Sequence, residues 1–159
     1  MTADHETGGM ALGNSDYTLN LKALQNQKMS LDKLSDQIQE LHTTHGKNLK
    51  WAQIKDLLQN SLGLYASVPV SADEDEELIQ LFKLMMTNKA KDEETLYASH
   101  SAISKRAMQI LDKNAKLGWT TGSHSASPVP VFAIGVGAEQ FTGWHDNSEI
   151  MPLLLKIAK

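Results

Sequence analysis

The sequence lacks four features that would assign whole classes of protein: cysteine, a basic patch, a long apolar run and a signal peptide. It has no cysteine, which excludes disulfides, and only one arginine, Arg106. Acidic residues outnumber basic ones by 19 to 15, giving a net charge of -4, and no basic patch of the kind that binds nucleic acid is visible. No run of about 18 apolar residues exists, so no membrane span is predicted, and no signal peptide is visible.

The length and composition of the sequence are ordinary for a globular domain. The 159 residues are 41% apolar and 21% charged, enough for one compact unit with a core. Alternating apolar residues over 17–23 predict a half-buried strand. The β-prone stretch 119–121 and the uncharged segment 129–134 predict further strands, and Pro128 and Pro130 would place the latter at a sheet edge. Residues 149–158 predict a closing helix.

The middle of the chain predicts four amphipathic helices. The first follows Ser30, a candidate N-cap, and stops at Gly46; the second begins near Trp51 and ends at Gly63. Ser71 and Glu74 match a capping box at the start of the third helix. The fourth covers about 92–116. Their predicted inner faces carry Leu31, Leu34, Ile38, Leu41, Trp51, Ile54, Leu57, Leu58, Leu62, Leu78, Leu81, Phe82, Met85, Leu96, Ile103, Ala107, Ile110 and Leu111.

Two places in the chain carry candidate metal ligands. Asp4 and His5 offer an oxygen and a nitrogen, both good zinc donors. Neighbouring residues of a strand point to opposite faces, so both reach one ion only where the strand ends, which the Gly8-Gly9 turn permits. His124 sits in a loop between two predicted strands. The alternatives are an exposed polar terminus for the pair and a solvated loop histidine for His124.

Other polar groups favour simpler interpretations. His42 and His45 could share a metal, but cations also suit that end of a helix. The acidic run 73–77 could attract calcium, but a solvated helix start stabilised by the helix dipole is the favoured interpretation. His100 is expected on a polar helix face, and His145 receives no role.

Four ordered motifs together resemble the alkaline phosphatase family. Thr2–Gly9 resembles its TADHETGG signature, and Gly118–His124 resembles its GWTT…H segment. Ser127–Ala133 is similar to the strand that follows, and the stretch from Gly137 to Asn147 resembles its GAExFxG…DN element. The family commonly has His-Thr-Gly where this chain has His124-Ser125-Ala126.

The resemblance implies specific metal roles. Asp4 and His5 would bind the zinc that activates a serine or threonine nucleophile, and His124 would bind a second zinc that holds the leaving group and then the attacking water. Nothing in this sequence matches the family's nucleophile, its remaining zinc ligands, its magnesium site or its arginine clamp. Arg106 lies in the helical block and is not assigned the role of the clamp. No catalytic residue is therefore assigned, and the chain alone is expected to be inactive.

The resemblance also implies fold, activity and location. The expected class is α/β and alkaline phosphatase-like. Residues 1–159 would form a single C-terminal piece, helix-rich with a small sheet from its two ends, and 30–117 would be a helical insertion. The parent would be a phosphoric monoester hydrolase with two zinc ions, magnesium and a covalent phosphoryl-enzyme intermediate. A phosphate monoester substrate, a homodimer and a periplasmic or secreted location are compatible with it.

Two alternatives stay open. The helical block could be an interaction or lid module that touches a partner, although its apolar faces could equally pack on one another. The chain could also belong to a related phosphodiesterase, mutase or sulfatase-type metallohydrolase that shares the Asp-His pair and the distal histidine.

Overall fold

The computed structural model describes residues 1–14, 16–87 and 93–158, without the side chains of 93–101. The chain divides into two compact units, one formed by 12–118 and the other by 1–11 together with 119–159. The first is helical and has the core. The second holds all three candidate metal ligands.

In its described residues, the helical unit contains five α-helices. They are α1 (Leu21–Leu24), α2 (Leu31–His45), α3 (Trp51–Leu62), α4 (Ala72–Thr87) and α5 (Glu93–Ala115), with a short 3-10 turn at Gly46–Asn48 after α2. The long helix α5 packs against each of the other four. Leu96 and His100, both placed on this helix by the sequence, lie outside the described side chains.

The predicted helix boundaries are confirmed by the caps. The Ser30 hydroxyl accepts from the backbone N–H of Lys33 at 3.2 Å, and α2 ends at Gly46. Gly63 closes α3 with φ of 73°, a left-handed conformation that glycine adopts without steric cost. Glu74 and Ser71 exchange the two hydrogen bonds of a capping box at the start of α4.

The inner faces of these helices meet in one apolar core. Among the described residues, the largest fully buried side chains are Leu34, Ile38, Ile54, Leu58, Leu62, Leu64, Leu78, Met85, Ile103, Ile110 and Leu111. All of them belong to the helical unit. The amphipathic faces predicted from the sequence thus bury one another, which is the driving force that stabilises the unit.

The strands are fewer than predicted. A two-stranded antiparallel sheet pairs β1 (Met10–Leu12) with β2 (Leu117–Trp119), so the β-prone prediction at Trp119 is confirmed in part. The strand predicted over 17–23 is wrong: Asp16 Oδ1 accepts from the Thr18 N–H at 3.2 Å and from its hydroxyl at 2.5 Å. This local turn competes with strand pairing, Tyr17 takes a φ of 59°, and α1 starts at Leu21.

The strand predicted over 129–134 is also wrong. This segment lies close to Met1, whose carbonyl accepts from the Phe132 N–H at 2.8 Å, but no ladder forms along it in the described part of the chain. Pro128 and Pro130 have no N–H to donate, which removes two of the bonds that a ladder would use.

The second unit ends in a short 3-10 helix (Ala138–Phe141) and α6 (Asn147–Ile157), the latter close to the predicted closing helix. Asp146 caps α6 by accepting from Ser148 N–H at 2.9 Å. No apolar side chain of this unit is buried among the described residues, and its exposed large ones include Phe132, Ile134, Val136, Trp144, Met151, Leu154 and Leu155. Across the described ranges, no helix is both long and apolar enough to span a membrane.

Candidate metal centre

Two distant segments of the chain run antiparallel beside each other and form the site. The Thr120 N–H donates to the Gly8 carbonyl at 2.9 Å, and Glu6 forms an antiparallel bridge with Ser125. Further along, Phe132 pairs with Met1. This register places the start of the chain opposite the loop that holds His124.

Asp4 and His5 face each other through their donor atoms. Asp4 Oδ2 lies 3.5 Å from His5 Nε2, and Asp4 Oδ1 accepts from the His5 backbone N–H at 3.1 Å. His5 Nδ1 lies 3.0 Å from the Glu6 carbonyl oxygen, which can only accept, so Nδ1 carries the hydrogen. In the neutral ring, Nε2 therefore presents its lone pair towards the Asp4 carboxylate.

His124 lies against His5. The two rings stack with their centroids 3.7 Å apart and their planes 30° from parallel. Stacked rings direct their nitrogen lone pairs along neighbouring planes rather than towards one point. The structure thus brings Asp4, His5 and His124 into one cluster, with His5 between the other two.

The geometry fits the donor sets that the sequence predicts for two ions. Two donors on one tetrahedral zinc lie about 3.3–3.6 Å apart, and the Asp4–His5 separation of 3.5 Å falls in that range. The hydrogen bond from Nδ1 to a backbone carbonyl is the usual way to orient a metal-binding histidine. Among the described residues, however, no group of three His, Asp or Glu side chains is arranged to hold one ion.

Glu6 connects the two segments, and the sequence analysis missed it. Its carboxylate accepts from the backbone N–H of Gly8 at 2.8 Å, from that of Gly9 at 2.6 Å and from the Ser125 hydroxyl. The hydrogen bond from Ser125, with those from the glycine N–H groups, lowers the pKa of Glu6 to about 2. A glutamate two residues before Gly-Gly is a signal for a capped turn, but its bond to Ser125 depends on a register that the sequence does not show.

A cleft of about 1390 Å³ opens beside these residues, within the same unit. Asp4 and His5 line it together with Phe132, Trp144 and His145. Small-molecule pockets usually measure about 300–1,000 Å³, so this cleft has room for a larger occupant.

The other sequence candidates have protein partners instead. His45 Nε2 accepts from Gln53 at 3.2 Å, and His145 Nε2 lies 3.1 Å from the Thr142 carbonyl. Arg106 donates to Glu77 at 2.6 Å. Within the acidic run, Glu74 binds Lys113 at 2.8 Å, Asp75 accepts from Tyr65 at 2.7 Å, and Glu76 accepts from Gln80. These contacts explain the run as the start of α4 without a calcium ion.

Known proteins similar to this chain agree on one family. Alkaline phosphatase 4 and alkaline phosphatase 3 of Bacillus subtilis (strain 168) are each 28% identical to it, over 159 and 156 residues. The matches cover 99% and 98% of this chain, but the chain spans only 29% of the length of either relative.

A solved structure shares the fold. It is that of a cold-active alkaline phosphatase from a psychrophilic Shewanella species, with a TM-score of 0.59 at 24% identity. The match covers 99% of this chain and 33% of that one. The predicted α/β, alkaline phosphatase-like class is thereby confirmed. The family model described as alkaline phosphatase matches residues 1–159, so the chain belongs to the alkaline phosphatase family.

Proposed function

We propose that this chain supplies part of the metal centre of a zinc-dependent alkaline phosphatase that hydrolyses phosphate monoesters. The observation that carries the proposal is the meeting of Asp4, His5 and His124, the residues whose motifs match the family. They come from the two ends of the sequence and converge because the segments that bear them pair with each other.

The donor chemistry supports a division of the three ligands between two ions. Asp4 Oδ2 and His5 Nε2 would hold one zinc, and His124 would hold the second. Bound zinc would supply Lewis acidity and lower the pKa of the attacking nucleophile and water. Asp4, His5 and His124 would hold the ions and fix the spacing between them. The Glu6 carbonyl would keep His5 in the tautomer that leaves Nε2 available to a metal.

We further propose that the chain does not turn over substrate by itself. Catalytic zinc sites usually have three protein ligands, whereas these residues offer two donors to one ion and one to the other. The family's nucleophile and magnesium ligands match no residue here. The wide cleft and the exposed Phe132 and Trp144 on its walls suit a covering protein segment better than a small substrate. The covalent phosphoryl-enzyme intermediate, magnesium and a periplasmic or secreted location belong to the whole enzyme in this proposal.

Zinc titration by isothermal calorimetry tests the ligand assignment. The wild-type chain is compared with Asp4→Ala, His5→Ala and His124→Ala. His145→Ala is the matched control, because His145 lines the same cleft and is not a proposed ligand. Hydrolysis of p-nitrophenyl phosphate is measured on the same samples.

We expect weak zinc binding that falls by about 10-fold or more in the three ligand variants and is unchanged in the control. We expect no hydrolysis above that of free zinc. Zinc binding that is lost only in His145→Ala would refute the ligand assignment. Zinc-dependent hydrolysis that disappears in Asp4→Ala would refute the claim that the chain is inactive alone.

A further inference from the structure

We propose that Glu6 and Ser125 form a clamp that sets the spacing between the two metal-binding segments, with Glu6 as a positioning residue rather than a ligand. The proposal rests on the function given above. It assigns a role to two residues for which the sequence predicted none. Glu6 follows His5 directly, and Ser125 follows His124, so a bond between them joins the histidines through their neighbours.

The carboxylate of Glu6 has its acceptor sites directed into the protein. Oε1 accepts from Gly9 N–H at 2.6 Å, and Oε2 accepts from Gly8 N–H at 2.8 Å and from the Ser125 hydroxyl. Gly8 and Gly9 have positive φ angles of 130° and 63°, which glycine adopts without steric cost. The Glu6 carboxylate stabilises this turn by accepting both of their N–H groups. Both oxygens of this carboxylate already accept hydrogen bonds from the protein, which favours a positioning role over that of a metal ligand.

The backbone of Glu6 makes the second half of the clamp. Its carbonyl oxygen lies 3.0 Å from His5 Nδ1 and accepts from the Ser125 N–H at 3.3 Å. One peptide group therefore fixes the tautomer of His5 and the position of the loop that bears His124. Loss of the side-chain bonds would free this peptide to rotate, and the orientation of His5 would be lost with it.

Ser125 accepts as well as donates. Its Oγ receives the Ser127 N–H at 3.3 Å, so the hydroxyl hydrogen is directed to Glu6. Threonine has the same hydroxyl and can replace this bond, whereas alanine cannot. The sequence thus offers a conservative variant, Ser125→Thr, that separates loss of the bond from loss of the residue.

The experiment is NMR on the full chain with labelled histidines, first without metal. Long-range ¹H–¹⁵N spectra report the tautomer of His5, and NOEs between the His5 and His124 rings report their stacking. The variants are Glu6→Ala, Ser125→Ala and Ser125→Thr. The matched controls are Glu139→Ala, an exposed glutamate of the same unit, and Ser123→Ala, an exposed serine on the other side of His124.

We expect the Nδ1–H tautomer and ring NOEs in the wild type, in Ser125→Thr and in both controls. Both signals should be lost in Glu6→Ala and in Ser125→Ala. A zinc titration of the same samples should show binding about 10–100-fold weaker in the two clamp-breaking variants than in Ser125→Thr.

The two proposals fail in different ways. Ring NOEs that persist in Ser125→Ala, or that Ser125→Thr does not retain, would overturn the clamp. Intact NOEs in the wild type with no zinc binding at all would leave the clamp standing and overturn the zinc assignment. If Glu6→Ala loses its folded spectrum, the milder Ser125→Ala and Ser125→Thr pair decides the result.

Discussion

Gly9 and Thr120 approach so closely that a Cβ on Gly9 would lie 2.8 Å from the threonine Oγ1 and 2.9 Å from its Cβ. The Thr120 hydroxyl also donates to the Gly9 carbonyl at 3.0 Å. The turn after the Asp4–His5 pair thus depends on a residue without a side chain at this position.

We expect Gly9→Ala to separate the two paired segments at the candidate metal centre. The matched control is Gly143→Ala, since Gly143 also has a positive φ of 95° but has nothing within 4 Å of the position of a Cβ. NOEs between the His5 and His124 rings should disappear in Gly9→Ala and stay in the control. Equal loss in both variants would mean that backbone strain, not the contact with Thr120, is responsible.

Glu74 is expected to contribute to the stability of the helical unit. It is 5% exposed, completes the capping box with Ser71 and accepts from Lys113 at 2.8 Å. Glu74→Ala should lower the free energy of unfolding by about 1–3 kcal/mol. Glu76→Ala, on the exposed side of the same helix, should change it by less than about 0.5 kcal/mol. Urea unfolding followed by circular dichroism gives both values, and similar losses would contradict the assignment.

The contribution of Glu74 should also depend on pH. Burial raises the pKa of Glu74, but the hydrogen bonds from Lys113 and Ser71 outweigh it, and the pKa in the folded state is lowered. Its contribution is therefore present above the unfolded pKa of about 4.3 and is lost as pH falls through the folded pKa. The stability difference between wild type and Glu74→Gln should shrink below about pH 4. A difference that stays constant down to pH 3 would contradict this.

Tyr65 should show the opposite pH dependence. Burial, together with its hydrogen bond to Asp75 at 2.7 Å, raises the pKa of the Tyr65 phenol. Its contribution is present below the unfolded pKa of about 10 and is lost as pH rises through the folded value. Tyr65→Phe should cost about 1 kcal/mol at neutral pH. In an absorbance titration at 295 nm, the variant should lack the last tyrosine transition.

The matched control is Tyr17→Phe, because the Tyr17 side chain is fully exposed. That variant should change the free energy of unfolding by less than about 0.5 kcal/mol. A Tyr65→Phe protein that keeps the last transition would show that another tyrosine gives rise to it.

The apolar surface of the second unit should drive self-association. Ile134 is 102% exposed and Trp144 is 85% exposed, and such a surface is costly in water. Analytical ultracentrifugation should show concentration-dependent association that weakens in Ile134→Ser and Trp144→Ser. Leu84→Ser, at an exposed position of the helical unit, is the control and should leave association unchanged. A monomer at all concentrations would contradict the prediction.

The helices could be predicted from the sequence because their signals are local. Ser30, Gly46, Gly63 and the Ser71–Glu74 box each act within a few residues of themselves, and the structure uses every one of them. The strands could not be predicted in the same way. At Asp16 a side chain bonded to the nearby backbone replaced the expected strand, and the alternation of apolar residues did not reveal this.

The candidate site was predictable in its members but not in its arrangement. Asp4, His5 and His124 follow from motif resemblance, and they remain proposed ligands. The stacking of His5 on His124 depends on backbone pairing between Glu6 and Ser125, which lie far apart in the sequence. Glu6 and Ser125 were missed for the same reason, since the bond between them joins two motifs that lie far apart in the sequence.

The Gly13 N–H donates to the Lys116 carbonyl at 2.9 Å. This hydrogen bond joins the two ends of the helical unit, so the chain enters and leaves the unit at neighbouring points in space. An element that leaves and rejoins the chain at one point can change in size during evolution without altering the spacing of the residues on either side. We therefore expect the region between the Asp4–His5 motif and the His124 motif to be where members of this family differ most in length.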